Sequence, residues 1–147
     1  MFKHILLPTD GSPASLRAAV AGVALAKALG ARVTGFFAAP APTPLVYEHF
    51  VPVGYMPAER HAEIIEKAAR KHLGAIEKAA KAANVPCESV HVTSEYPAEA
   101  IVETARRHKC DLIFMSSHSR RGMAALFIGS ETQKVLAHSS VPVLVFR

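Results

Sequence analysis

Cysteine is scarce in this 147-residue chain: there are two, Cys87 and Cys110, and tryptophan is absent. Two cysteines so placed make neither a Cys-x-x-Cys pair nor a disulfide framework, which excludes a dithiol redox motif and a zinc ribbon. They read as small apolar residues of a core. No apolar run approaches the ~18 uncharged residues that a membrane span needs. The opening stretch, Met1 to Asp10, meets an acid too early for a signal peptide. The expectation is a cytoplasmic protein with no membrane partner. Disorder is excluded too, because 50% of the residues are hydrophobic and only 20% are charged.

The familiar chemical signatures are also missing. There is no GxxxxGK[ST] phosphate loop, no GxGxxG, no GxSxG nucleophile elbow and no HExxH. The eight histidines show no ligand spacing. Basic residues exceed acidic ones by 17 to 12, a net charge of +5. The excess is dispersed, however. Arg60, Lys67, Arg70, Lys71, Lys78 and Lys81 interleave with Glu59, Glu63, Glu66 and Glu77, the pattern of a solvated helix face with i,i+4 pairs. No basic stripe with interleaved aromatics occurs, which argues against nucleic acid as a partner.

Apolar runs alternate with helical patterns along the chain. Strands are expected over Phe2 to Leu7, Ala31 to Ala38, Ser89 to Thr93, Leu112 to Met115 and Val141 to Phe146. Runs apolar on both sides suit parallel strands covered on both faces. The first helix opens at Ser12-Pro13 and closes at Gly30, with a stripe of Ala14, Ala18, Gly22 and Ala26. A long second helix runs from about Pro57 to Ala83, with Ile64, Ile65, Ala68, Ala69, Ala75, Ile76 and Ala79 at helical spacing. A third runs from Pro97 to about His108, and a fourth from about Gly129 to His138. The order βαβαβαβαβ implies one α/β domain over 1–147, a doubly wound five-stranded parallel sheet with helices on both faces. Ala39 to Met56 is long for a structureless connection and is expected to be a lid or a surface covering.

In such a sheet ligands sit beyond the carboxyl ends of the strands. Two loops qualify: Pro8-Thr9-Asp10-Gly11-Ser12 after the first strand, and Ser116 to Ser130 after the fourth. A loop that feeds a helix N-terminus offers amide N–H groups and a favourable dipole to an anion. A hydrolase built on Ser117, His118 and Asp10 is the weakest option, because adjacency in sequence does not give hydrogen-bond geometry.

Three segments carry a family resemblance: HILLPTDGSPAS, ARVTGFFAAP, and DLIFMSSHSRRGMAALFIGSETQKVLAHSSVPVLVFR. Together they resemble the universal stress protein family, in order and over essentially the whole chain. The resemblance implies strand order 3-2-1-4-5, a homodimer and, in one branch, a site for ATP or a related adenine nucleotide, with magnesium as its companion. That branch carries G-x2-G-x9-G-[ST] after the fourth strand. Laid on this chain, the glycines fall on Ser116, Ser119 and Gly129, with Ser130 closing the pattern. The spacing is kept, and the two leading glycines are serines. Serine is small and its hydroxyl can donate to phosphate, and Arg120 and Arg121 follow at once. The resemblance also sets Pro8, Thr9 and Asp10 beside the adenine and ribose, the main chain near Ala38 along the adenine edge, and Met115, Glu131 and Thr132 around the phosphate loop.

The implied function is a stress-response sensor or regulator, with slow ATP hydrolysis at most. The alternative, motivated by Ser116 and Ser119, is an interaction protein of the same type that has lost the nucleotide. The last strand, Val141 to Phe146, supports the homodimer independently. It is apolar on both faces and, in the implied order, lies at a sheet edge that needs covering.

Overall fold

The computed structural model describes residues 1–41, 46–48, 51–53, 57–117 and 128–147. Strand β1 (His4–Thr9) leads into helix α1 (Pro13–Leu29), then β2 (Arg32–Ala39). A short antiparallel pair, β3 (Val46–Glu48) and β4 (Val51–Val53), comes next. Then follow α2 (Ala58–Ala83), β5 (Cys87–Thr93), α3 (Pro97–Arg107), β6 (Leu112–Ser116), α4 (Ser130–His138) and β7 (Val143–Phe146).

Five strands form one parallel sheet in the order β5-β2-β1-β6-β7. Counted among themselves, these strands have the order 3-2-1-4-5. β1 is central, and all six of its residues are buried. Its period-two alternation feeds two cores. Ile5 and Leu7 pack with Ala18, Val23, Ala26, Ile76 and Ala80 of α1 and α2. Leu6 packs with Phe36, Ile101, Ala105, Ile113 and Val135 on the side of α3 and α4.

Local chemistry sets the helix ends. Ser12 caps α1 by accepting the Ser15 N–H, Pro13 takes the first helical position, and Gly30 closes the helix at φ 63°. Ala18, Gly22 and Ala26 of the expected stripe are buried, together with Ser15, Ala19 and Val23. At Gly22 the helix lies so close to the sheet that a Cβ would stand 2.4 Å from Leu7 Cδ2. On α2 the buried line is Ile65, Ala69, Leu73, Ile76 and Ala80. Ile64, expected on that stripe, is 46% exposed, because one residue turns the helix by about 100°.

Elsewhere the structure departs from expectation at prolines. β1 continues through Pro8 to Thr9, and β7 starts at Val143 instead of Val141. There Ser139 Oγ accepts the Val141 N–H and donates to the Val141 carbonyl, which holds that residue in a turn. Within the expected covering segment 39–56, the β3–β4 pair is regular structure that its prolines concealed. Ala39 is the last residue of β2, and residues 42–45, 49–50 and 54–56 lie outside the described residues.

Candidate switch-point site

The crevice opens where the strand order reverses, beyond the carboxyl ends of β1 and β6. One wall is the turn after β1, held by its own side chains. Gly11 N–H donates to Thr9 Oγ1 at 3.1 Å, and Ser12 N–H donates to Asp10 Oδ1 at 2.9 Å. Thr9 Oγ1 and Ser15 Oγ share a 3.0 Å hydrogen bond. Asp10 therefore organises the entry into α1 with the oxygen turned back to Ser12.

The other wall is the junction of β6 and α4. Thr132 Oγ1 donates to the Ser116 carbonyl at 3.0 Å, and Gly129 N–H donates to the Ser117 carbonyl at 2.7 Å. Ser117 N–H in turn donates to the Phe146 carbonyl at 2.9 Å. Positions 117 and 129, the two shores of the loop after β6, are thus bonded to each other. Gly129 is the N-cap of α4: its carbonyl accepts the Gln133 N–H at 3.0 Å, and it brings no cap side chain to the amides of residues 130–132. Glu131 in that turn is engaged elsewhere. Its Oε2 accepts the Ala98 N–H at 3.0 Å and its Oε1 accepts Lys134 Nζ at 2.8 Å. This carboxylate stitches α4 to the start of α3.

Between the walls lies a cavity of about 110 Å³. Of the residues proposed from the sequence, Pro8, Thr9, Asp10, Ala38, Met115, Ser116, Gly129, Glu131 and Thr132 line it. Ser130 opens α4 but is exposed and not part of the lining. Ser119 and Arg120, with Arg121 and His118, lie outside the described residues. Ser15, Phe36, Pro97 and Ile101 line the cavity without having been singled out. Phe36 had a signal: it stands two residues before Ala38 and so shares its face of β2. Ile101 lies one helical turn beyond Pro97.

A serine in place of glycine is costly where φ is positive, but Ser116 is the last residue of β6 and does not have a positive φ. Ser117, the nucleophile of the hydrolase option, is buried, with 1% of its surface exposed. Cys110 is buried as expected, and burial pushes its thiol up to about 11, whereas Cys87 is only half-buried. Among the described residues no helix is long and apolar enough to cross a membrane, and no group of His, Cys, Asp or Glu is arranged to hold a metal ion.

A doubly wound α/β domain with a crevice at its switch point is the class that fold and site define. The profile of the universal stress protein family matches residues 1–147, and the chain belongs to that family. It is 36% identical over 148 residues to the universal stress protein in the QAH/OAS sulfhydrylase 3′ region of Thermus aquaticus, covering 100% of both chains. Among solved structures, a universal stress protein in complex with cAMP superposes with TM-score 0.70 at 24% identity, covering 99% of this chain and 97% of that one. The universal stress protein of Archaeoglobus fulgidus in complex with dAMP gives TM-score 0.65 at 16% identity, covering 100% and 98%.

Proposed function

We propose that this protein binds an adenine nucleotide, ATP in the first instance, in the switch-point crevice and acts in the cytoplasm as a stress-response sensor or regulator. One observation carries the reading: the crevice joins an acidic turn at Asp10 to the uncapped N-terminus of α4 at Gly129, across an apolar floor of Phe36, Ile101 and Met115. An adenine nucleotide has that sequence of needs. Its base seeks an apolar slot with main-chain partners, which the end of β2 at Ala38 supplies. Its ribose hydroxyls seek an acceptor, and Asp10 is a carboxylate. Its phosphates seek amide donors and a positive helix end. That relatives of this fold hold cAMP and dAMP supports the same reading. Magnesium would arrive with the phosphates, nearest to Asp10 and Ser130.

The test is direct. Protein denatured after purification is expected to release adenine nucleotide, and stripped protein is expected to give saturable heat with ATP in calorimetry. No released nucleotide and no heat at millimolar ATP would favour the alternative, an interaction protein of the same fold in which Ser116 fills space that the nucleotide-binding pattern gives to glycine.

A homodimer belongs to the same proposal. β7 is an edge of the sheet, Leu144 is 38% exposed, and Val143, Val145 and Phe146 are half-buried. An apolar edge of this kind is protected by a second copy of itself. Pairing is confined to the short run after Pro142, which has no N–H to offer. Leu144→Glu is expected to convert a sedimenting dimer to monomer while the circular dichroism spectrum is kept. An unchanged dimer would place the interface elsewhere.

A further inference from the structure

The amino ends of the strands, opposite the crevice, hold a second polar cluster that the nucleotide reading does not use. His4 begins β1, Thr34 and Glu88 stand near the starts of β2 and β5, and His108 follows α3. His4 is 4% exposed and Thr34 0%. Thr34 Oγ1 donates to Glu88 Oε1 at 2.9 Å, and the same carboxylate oxygen accepts from His108 Nδ1 at 2.8 Å. A hydroxyl has one proton to give. With that proton on Glu88, Thr34 must accept at its 2.7 Å contact with His4 Nε2. His4 is therefore the tautomer with hydrogen on Nε2. Its Nδ1 is a bare lone pair, buried and without a hydrogen-bond partner.

We propose that the His4–Thr34–Glu88–His108 chain is an acid-sensitive latch, fastening the exit of α3 to the amino ends of β1, β2 and β5 while His4 is neutral and releasing them when His4 takes a second proton. The second proton would sit on Nδ1, with no acceptor, in a place closed to water. The same histidine ties β1 to the approach of β6, because its N–H donates to Asp111 Oδ1 at 2.9 Å and its carbonyl accepts the Asp111 N–H at 2.9 Å.

Burial and the surrounding charges together favour the neutral form. Burial holds His4 below the usual histidine range and Arg32 adds to this, Glu88 and Asp111 pull the other way, and His108 sides with Arg32. Hydrogen bonds from His108 and Thr34 hold Glu88 below its ordinary range, so it stays ionised through mild acid. Cys110 remains a thiol and adds no charge. The sign follows. The opened chain accepts the second proton near 6.5 and the closed one resists it, so opening takes up a proton. The latch is at full strength above about pH 6.5 and weakens as the pH falls below it. It stands apart from the nucleotide reading and survives its failure.

Imidazole ¹⁵N spectra and amide hydrogen exchange test the proposal on the full chain. At about pH 7.5 His4 is expected to carry its proton on Nε2 with Nδ1 bare. On going to about pH 5.5, the Val33 and Asp111 amides, bonded at this end of the sheet, are expected to lose about tenfold in protection after correction for intrinsic rates, one pKa unit's worth. The Ser117 amide, bonded at the far end, keeps its protection. His4→Phe is expected to flatten the response, and His108→Gln, which keeps a donor for Glu88, to preserve it. A proton on Nδ1 at the higher pH, a response that persists in His4→Phe, or one that vanishes in His108→Gln overturns the latch. Should His4→Phe not fold, the tautomer and the His108→Gln profile decide.

Discussion

Gly11→Ala is expected to lower the stability of the fold by about 3 kcal/mol, two separate effects adding at one position. The backbone there has φ +78°, in the region that costs an L-residue about 1–2 kcal/mol. Independently, a Cβ would stand 2.1 Å from Cε1 of His72 and 2.5 Å from both ring nitrogens. The half-buried ring would have to shift. It rests edge-on against Phe37, with centroids 5.1 Å apart and an interplanar angle of 67°, and Phe37 is itself buried among Ile65, Ala69 and Leu73. Forcing a methyl into packed surroundings costs about 1–3 kcal/mol more. The two effects separate in a double-mutant cycle by urea unfolding. His72→Ala should relieve the steric part, so that the double variant is more stable than the sum of the singles requires, while the φ penalty stays. A strictly additive cycle would show that the imidazole is not what keeps position 11 free of a side chain.

The turn around Gly11 also shows what kind of information the sequence carries openly. β1, β2 and β6 were legible because buried parallel strands are continuous apolar runs, whereas the edge strands β5 and β7 hold no buried residue. Strand ends were less legible where a proline interrupts the run: Pro8 conceals the last residues of β1, and Pro142 suggests two residues of β7 that Ser139 instead holds in a turn. The β3–β4 pair was hidden for the same reason, with Pro52 inside one of its strands. On α2, Ile64 and Ile65 are chemically the same and only the sheet decides which of them turns inward.

The site divides along similar lines. Its polar and glycine positions, Asp10, Ser116 and Gly129, announced themselves through spacing and resemblance. Its apolar floor did not, because Phe36 and Ile101 lining a crevice look no different from Phe36 and Ile101 filling a core. The latch at the other end of the sheet was invisible for a further reason. His4, Thr34, Glu88 and His108 are each unremarkable within their own segments, and only the parallel register, in which Thr34 and Glu88 are direct partners, brings them together. Spacing along the chain reports on loops and helix ends. It does not report on side chains that meet across three strands.

Asp10→Asn is expected to weaken ATP binding about tenfold or more without unfolding the protein, the value of a hydrogen bond to a charged acceptor, about 1.5–3 kcal/mol. The substitution isolates charge from scaffold. Asp10 Oδ1 accepts the Ser12 N–H at 2.9 Å, and an asparagine carbonyl can accept it as well, so the entry to α1 and the Ser12 cap should remain. What goes is the negative charge facing the crevice, and with it the stronger hydrogen bonds that ribose hydroxyls make to a carboxylate. Asp10→Ala removes the acceptor too and should therefore cost stability as well as affinity. The comparison that decides is between the two variants and the wild type in calorimetry, with thermal melting as the control. Equal affinity in wild type and Asp10→Asn, with both folded, would mean that the carboxylate serves only to shape the turn. Among the described residues the nucleotide would then be held by the α4 end of the crevice, where the amides following Gly129 are donors and where binding should fall steeply with added salt.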